Sequence, residues 1–311
     1  MSNILIIKHG SLGDLIQAIG AIEDIKKSNI KSKVVLITSN VYFDLMSNCP
    51  YIDEVLVDKR SPRWNIFYLY NLKKKLASYN FEKVFDLQNS KRTSFYRKYL
   101  LTSPIWSSTE TTLEPGQNKK DFDQEPVLKR MELQLKKSGI NTLNVNKSNL
   151  NWAYTNIRNI TKNYLNKKYI LIFPFCSKKF EDKKKWPFFS ILISFLKSKY
   201  KDKYDIAIAP GPNEINEAQS YKANIVLNEK KYLNLIQLIS LIKDASFVIS
   251  NDTGPAHICS HLNKNGLVLF GKHTTPQKVS IESENFKAIK STDLKLLRPE
   301  TVMSEVKKKL N

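Results

Sequence analysis

Residues 247–276 read FVISNDTGPAHICSHLNKNGLVLFGKHTTP, a pattern of strand, turn, short helix, strand and glycine loop. The run at residues 247–250 is typical of a buried strand, and Asp252 and Thr253 are residue types that cap helices. Pro255 suits the first turn of a helix, where its missing N–H costs nothing. A helix beginning there would direct N–H groups and the positive end of its dipole outward. The stretch therefore predicts a phosphate-binding turn between a strand and a helix. Alternatively, Asp252 only caps that helix and His257 is only a hydrogen-bonded histidine on it.

Strand and helix patterns alternate on both sides of this turn, as in parallel sheets flanked by helices. In the first half we predict strands at residues 3–8, 33–38, 54–57, 83–86 and 104–106, with helices at 15–27, 66–77 and 125–138. In the second half we predict strands at 169–173, 204–209, 247–250 and 267–270, with helices at 187–198, 214–221, 232–243 and 299–310. The sequence therefore predicts an α/β fold with two Rossmann-like, doubly wound domains facing a cleft.

The domain boundary is predicted from the places where this alternation fails. Residues 107–125 are polar, contain Pro115 and Gly116, and are expected to form a loop or mobile segment. Residues 141–151 read as connecting chain. We therefore predict domains at residues 1–150 and 151–311, with a C-terminal helix that can cross back to the first domain. A chain of 311 residues suits two domains of about 150 residues each.

A net charge of +21 favours a polyanionic partner, although Lys, Asn and Ile are abundant throughout, as expected from an AT-rich genome. Basic and aromatic residues mix at residues 59–75 and 91–99. These stretches fit either a phosphorylated lipid or membrane surface, or solvated helix faces with buried aromatics. Three separated cysteines, the lack of a signal peptide and the lack of a long apolar run predict a soluble cytoplasmic protein.

Three further loops follow predicted strands. In the first, Gly10 and Gly13 allow a tight turn, and Asp14 meets the start of a helix, where it is either a general base or a helix cap. The second, residues 173–187, carries several lysines that form either a diphosphate clamp or a solvated face. The third, residues 209–214, reads APGPNE and is either a nucleoside contact through Glu214 or Asn213, or a plain turn.

Taken together, these loops resemble glycosyltransferase family 9, which contains the bacterial lipopolysaccharide heptosyltransferases. The family's D-T-G-x-x-H matches Asp252, Thr253, Gly254 and His257. Its K-x-W-P matches the run from Lys184 through Lys185 to Trp186 and Pro187, and its S-x-G-D loop matches Ser11, Gly13 and Asp14. The resemblance implies a GT-B fold and inverting transfer of a sugar, with heptose from ADP-heptose as the expected donor, to the lipopolysaccharide core or a related glycan.

The resemblance also implies roles for individual residues. Asp14 would take the proton of the acceptor hydroxyl, and Lys184 would stabilise the departing diphosphate. The implied donor-binding residues are Ser11, Gly13, Ser177, Lys185, Glu214, Asp252, Thr253, Gly254 and His257. We expect no metal and no cofactor. The expected partners are a nucleotide-sugar donor, a lipid-linked or phosphorylated glycan acceptor and, peripherally, the cytoplasmic face of the inner membrane, but no nucleic acid.

Two other functions stay open at this stage. A nucleotide-sugar epimerase could share the two-domain fold and would release a free product without an acceptor. A non-catalytic, basic polyanion-binding protein would fit the charge, although no recognition helix, RNP motif or zinc finger is present. The sequence disfavours an aspartic protease, because such an enzyme needs a second D-T-G or D-S-G loop and the sequence contains a single D-T-G.

Overall fold

The computed structural model describes residues 2–147 and 149–310. The chain divides into two compact units, Met1–Trp152 and Ala153–Asn311, so the division falls two residues after the predicted boundary. No helix within the described residues combines the length and the apolar character that crossing a bilayer requires.

The first unit is built on a five-stranded parallel sheet in the order β3-β2-β1-β4-β5. Its strands are β1 Asn3–Ile7, β2 Lys33–Thr38, β3 Glu54–Val57, β4 Phe81–Asp86 and β5 Ile105–Ser107. Its helices are α1 Leu12–Ser28, α2 Phe43–Ser47, α3 Ile66–Ala77, α4 Lys91–Tyr99, α5 Thr109–Thr112, α6 Lys119–Phe122 and α7 Val127–Lys137. Strand order reverses beside β1, the position at which doubly wound sheets bind ligands.

The register of this sheet brings the functional loops to one edge. Ile7 at the end of β1 lies opposite Ile37 of β2 and Asp86 of β4, so the residues that follow these strands share the carboxyl edge. The core beneath that edge is apolar and buried, with Leu5, Ile7, Val35, Ile37, Leu72, Leu76, Val84 and Tyr96 among its members. A tightly packed core of this kind fixes the positions at which the edge loops leave the sheet.

The prediction of a loop or mobile segment at residues 107–125 was wrong for residues 109–112 and 119–122, which form two short helices. Ser108 caps α5 by accepting a bond from the Thr111 N–H, and Asn118 caps α6 by accepting one from the Asp121 N–H. Phe122 then buries its ring, with 3% of its surface exposed. Capping side chains and one buried aromatic residue order a segment that its polarity had marked as loop.

The second unit repeats the architecture around six parallel strands in the order β11-β10-β9-β6-β7-β8. Its strands are β6 Lys168–Phe173, β7 Tyr204–Ile208, β8 Asn224–Ile225, β9 Phe247–Asn251, β10 Gly266–Phe270 and β11 Phe286–Lys290. Its helices are α8 Arg158–Thr161, α9 Glu181–Lys184, α10 Phe189–Tyr200, α11 Ile215–Ala218, α12 Leu235–Asp244, α13 Gly254–His261 and α14 Pro299–Leu310.

The ends of the second sheet differ from the prediction. The two-residue β8 and the edge strand β11 were missed, since one is very short and the other carries exposed lysines. Helix α11 is four residues long rather than the predicted span of 214–221. Helix α14, predicted as able to cross back, buries Val302, Met303 and Val306 in the core of the second unit.

Candidate functional site

The loop between β1 and α1 holds Asp14 in a defined geometry. Helix α1 begins at Leu12, three residues earlier than predicted, so Ser11 is the N-cap and half-buried Asp14 stands in the first turn. Asp14 Oδ2 accepts bonds from the Ser11 N–H at 2.9 Å and from the Ser11 hydroxyl at 3.0 Å. Gly10 has a φ of +111°, a conformation that favours glycine. Ser11 therefore fixes the carboxylate, and Gly13 beside it is buried.

A buried carboxylate that the sequence analysis missed lies beneath this loop. Asp58 follows β3, is 1% exposed, and lies 2.8 Å from His9 Nε2 through Oδ2. The same carboxylate accepts bonds from the hydroxyls of Tyr68 and Tyr96 and from the Arg60 N–H. Burial alone would raise the pKa of Asp58, but its bonds with His9, Tyr68 and Tyr96 lower that pKa well below its usual range.

The Asp58 cluster positions the strand end from which the Asp14 loop departs. His9 immediately precedes Gly10, and its own N–H donates to Gln88 Oε1 at 2.9 Å. The Ser39 hydroxyl donates to the His9 carbonyl at 2.8 Å. His9 is thus tied to the residues following β2, β3 and β4. No sequence motif signalled this arrangement, because Asp58 lies 49 positions from His9.

In the second unit, Lys184 and Asp252 form an ion pair across 68 positions of sequence. Lys184 Nζ lies 2.7 Å from Asp252 Oδ2 and above the ring of Phe180, 5.5 Å from its centroid. Asp252 Oδ2 also lies 2.8 Å from His273 Nε2. Burial opposes ionisation of Asp252, but His273 and Lys184 lower the pKa of the carboxyl below its usual value. Of the clustered lysines, Lys184 is therefore the one that reaches the D-T-G turn.

His273 is a second residue that the sequence analysis missed. It lies in the loop after β10, and its ring stacks on Phe270 with centroids 5.8 Å apart and planes 11° apart. Its Nδ1 atom is buried and has no hydrogen-bond partner within residues 2–147 and 149–310. The ring is therefore held in place by stacking on Phe270 and by Asp252.

The side chain of Asn251 joins the lysine-rich loop at residues 173–187 to the D-T-G turn. Buried Asn251 accepts a bond from the Trp186 N–H at 3.1 Å through Oδ1 and donates to the Pro174 carbonyl at 2.8 Å through Nδ2. A Cβ added to Gly271 would lie 2.6 Å from the Lys183 carbonyl oxygen, so that position requires glycine. Trp186 is 1% exposed and anchors the loop in the core. Lys184 is therefore positioned by residues on each side of it.

Of the two residues of helix-capping type in the D-T-G turn, the second takes the cap position. Thr253 is the N-cap of α13, Gly254 is its first residue, and Pro255 lies in the first turn as predicted. The alternative that Asp252 only caps this helix was wrong, since its carboxylate binds Lys184 and His273 instead. His257 is buried within α13.

The remaining predicted donor-binding residues have local partners. Lys185 pairs with Glu181 and, at 3.1 Å, with Glu217. Glu214 Oε2 accepts a bond from the Gly211 N–H at 2.7 Å, and burial raises the pKa of this carboxyl. Ser177 directly precedes a short 3₁₀ turn at Lys178–Phe180. The structure thus gives Lys185 and Glu214 roles in shaping loops, and the sequence-based donor contacts of both stay predictions.

The two edges offer complementary chemistry. The carboxyl edge of the first sheet carries Asp14, which can accept a proton once ionised. The corresponding edge of the second sheet carries Lys184, which can stabilise a developing anion. Within the described residues, no group of three His, Cys, Asp or Glu side chains is arranged to hold a metal ion.

Comparisons with known proteins identify the family and the fold of this chain. The sequence model of glycosyltransferase family 9 (heptosyltransferase) matches residues 69–305. A family 9 glycosyl transferase from Veillonella parvula has a TM-score of 0.80 at 15% identity, covering 99% of this chain and 97% of that one. E. coli heptosyltransferase WaaC with ADP-2-deoxy-2-fluoro heptose has a TM-score of 0.73 at 16% identity, covering 98% of this chain and 99% of that one. E. coli ADP-heptose lps heptosyltransferase II has a TM-score of 0.73 at 16% identity, covering 100% of this chain and 98% of that one.

A search of curated protein sequences finds no match to this chain. The structural likenesses, all at low identity, show the GT-B fold of two parallel-sheet α/β domains and confirm the predicted fold class.

Proposed function

Since this chain belongs to glycosyltransferase family 9, we propose that it transfers heptose from ADP-heptose to a lipopolysaccharide core or related glycan, with inversion at the anomeric carbon. The observation that carries the proposal is the contact of Lys184 with Asp252 beside the D-T-G turn. It places one cation at a turn suited to a diphosphate. The likeness to WaaC, whose structure contains an ADP-heptose analogue, supports ADP as the nucleotide.

In the proposed reaction, Asp14 accepts the proton of an acceptor hydroxyl as its oxygen attacks the anomeric carbon. The new glycosidic bond forms while the bond from that carbon to the diphosphate oxygen breaks, and its electron pair leaves with ADP. A single displacement of this kind inverts the anomeric carbon. The bonds from Ser11 hold the Asp14 carboxylate in place before the acceptor arrives.

Charge on the departing ADP would be stabilised by Lys184 and by the N–H groups of Thr253 and Gly254. In this proposal a diphosphate oxygen competes with Asp252 for Lys184, while Asp252 and His273 keep the lysine at the turn. We propose that these groups stabilise the leaving group without a metal ion or cofactor. The acceptor would be lipid-linked or phosphorylated, and the reaction would take place at the cytoplasmic face of the membrane.

A ligand panel and a transfer assay test this function. We expect ADP to raise the Tm of the protein more than UDP or GDP does, because a ligand that binds only the folded state stabilises it. With ADP-heptose and a core acceptor, we expect ADP release, a product of inverted anomeric configuration by NMR, and an unchanged rate in EDTA. No response to any nucleotide would contradict the proposal.

The same assay separates the two alternatives. An epimerase would convert or release the sugar without an acceptor, whereas the proposed transferase forms the glycoside only when the acceptor is present. A basic polyanion-binding protein would bind heparin or nucleic acid in a steeply salt-dependent way and would turn over no nucleotide-sugar.

A further inference from the structure

Helix α3 and the residue before its cap expose four large apolar side chains. Trp64 is 80% exposed, Ile66 76%, Phe67 83% and Tyr70 64%. Single exposed apolar residues are ordinary, but a contiguous group of this size marks an interaction surface. The alternative that the aromatics of this basic stretch are buried was therefore wrong for Trp64, Phe67 and Tyr70.

The exposed side chains follow helical spacing and continue into lysines. Positions 66, 67, 70, 73 and 74 fall on one face of α3, so Ile66, Phe67 and Tyr70 share that face with Lys73 and Lys74. The opposite face buries Leu72 and Leu76 in the core of the first unit. We call the exposed face, together with Trp64, the α3 surface. Because the core already takes the other face, the α3 surface is left for an external partner.

The charged residues of the chain segment that carries the α3 surface are all cations. Residues 59–81 contain Lys59, Arg60, Arg63, Lys73, Lys74 and Lys75, and no Asp or Glu. All six of these cations are exposed. A second copy of the same surface would bring like charges together, which opposes self-association through it. An anionic surface is the complementary partner.

The α3 surface is held in shape by neighbouring contacts. A guanidinium nitrogen of Arg92 donates to the Ser61 carbonyl at 2.6 Å, and the Arg63 guanidinium lies 5.6 Å from the centroid of the Phe95 ring. The Tyr68 hydroxyl bonds Asp58, which ties the first turn of α3 to the sheet. The exposed apolar group is therefore presented on a fixed frame, and binding need not order it.

We infer that the α3 surface docks on a lipid bilayer that contains anionic headgroups. Aliphatic Ile66 and aromatic Phe67 would enter the boundary of headgroups and acyl chains, while Trp64 and Tyr70 suit the interface itself. Lys73, Lys74 and the other basic residues would meet the anionic headgroups. The exposed aliphatic side chain of Ile66 favours a bilayer over a nucleic acid, because nucleic-acid bases stack on aromatic rings.

This docking would place the membrane at the catalytic edge of the first unit. The segment that leads into α3 starts at Asp58, whose carboxylate contacts His9 next to the Asp14 loop. A sugar acceptor on a lipid carrier would then meet Asp14 from the bilayer. That link rests on the proposed function, whereas lipid binding does not.

Vesicle binding by the full chain tests the inference without any sugar. We expect flotation with vesicles of phosphatidylcholine containing about 30% phosphatidylglycerol, weak binding to phosphatidylcholine alone, and loss of binding as salt rises. Trp64 fluorescence should shift to the blue with anionic vesicles, and the shift should disappear in Trp64→Phe. Equal binding to both vesicle types, or no binding to either, would overturn the inference.

Matched variants separate the α3 surface from general charge and hydrophobicity. Phe67→Ser/Tyr70→Ser and Lys73→Glu/Lys74→Glu should each lower the partition coefficient by at least about tenfold. The controls are Ile30→Ser/Leu296→Ser, at exposed apolar positions elsewhere, and Lys197→Glu/Lys199→Glu on α10, and both should bind like wild type. Wild-type binding by the α3 variants would overturn the inference, as would light scattering that shows a dimer dissociated by Phe67→Ser.

Since the assay contains neither donor nor acceptor, its failure would leave the transferase proposal standing. Conversely, a protein that binds anionic vesicles but transfers no sugar would overturn the proposed function alone.

Discussion

The carboxyl edges of the two sheets are built on the same architecture but hold opposite charges in place. At the edge of the first sheet, the buried carboxylate of Asp58 fixes His9, and the half-buried carboxylate of Asp14 stands at the start of α1. At the edge of the second sheet, the buried carboxylate of Asp252 holds the cation of Lys184. At each edge, a buried Asp therefore helps to position a more exposed charged group. That group is the proposed base, Asp14, at the first edge and the proposed diphosphate ligand, Lys184, at the second.

This difference shows how one fold supplies two chemical functions. A buried carboxylate is stable only when hydrogen bonds or cations compensate for its lost hydration. Asp58 receives that compensation mainly from neutral hydroxyls and His9, while Asp252 receives it from Lys184 and His273. The groups that stabilise each buried carboxylate therefore differ between the two edges. At the second edge they include a lysine, whose charge can also contact a substrate.

The largest expected effect comes from removing the proposed base. Asp14→Asn should lower kcat by about a thousandfold, equivalent to about 4 kcal/mol, because the amide cannot take the acceptor proton. Affinity for ADP, measured by calorimetry, should stay unchanged. Asp44→Asn, at an exposed carboxylate on α2, is the matched control and should retain wild-type kcat. An unchanged kcat in Asp14→Asn would rule out Asp14 as the base.

The next effect is on stability and tests whether Asp58 anchors the first edge. Asp58→Asn should lower the free energy of unfolding by about 3 kcal/mol, because the buried network loses its charge. Urea denaturation of the variant and of wild type measures the difference. Asp53→Asn, at a more exposed carboxylate paired with Lys26, should cost at most about 1 kcal/mol.

The pH dependence of the Asp58 effect has a definite sign. The pKa of Asp58 is lowered in the folded state, so its contribution is fully present above the unfolded pKa of the carboxyl. The contribution is lost as pH falls through the lower, folded pKa. The difference between wild type and Asp58→Asn should therefore be largest near neutral pH and shrink in acid. A difference that grows in acid would contradict the assigned network.

A smaller effect tests the cation of the second edge. Lys184→Met should lower kcat by about a hundredfold, since one stabilising charge on the departing diphosphate is lost. It should also weaken ADP binding, which Asp14→Asn should not do. Lys183→Met, at the exposed neighbouring lysine, is the control. If Lys183→Met had the larger effect, the assignment of Lys184 as the diphosphate ligand would be wrong.

The smallest expected effect concerns His273. His273→Phe keeps a ring on Phe270 but removes the nitrogen that contacts Asp252, so we expect about a fivefold rise in KM for the donor with little change in kcat. His273→Gln, which retains a polar group, should recover part of the loss. Steady-state kinetics at several donor concentrations separate the two parameters. A fall in kcat alone would assign His273 to the chemical step instead.

The sequence was most informative where a function depends on neighbours in the chain. The alternation of strands and helices and the turn at Thr253 and Pro255 follow from local pattern, and both appear in the structure. The short helices at residues 109–112 and 119–122 were missed because polarity was weighed above capping by Ser108 and Asn118. His273 and Asp58 were missed because each acts through a partner distant in sequence.

The sequence by itself determined two α/β domains, the D-T-G turn and the carboxylate at Asp14, because periodicity and turn residues act over a few positions of chain. Only the tertiary structure decided that Lys184, among five clustered lysines (Lys178, Lys179, Lys183, Lys184 and Lys185), meets Asp252. It also decided that Asp252 is an ion-pair partner and not a helix cap. The physical reason is that a buried carboxylate takes whichever cations the packed sheet edge brings within reach, and that packing is set by contacts between residues far apart in sequence.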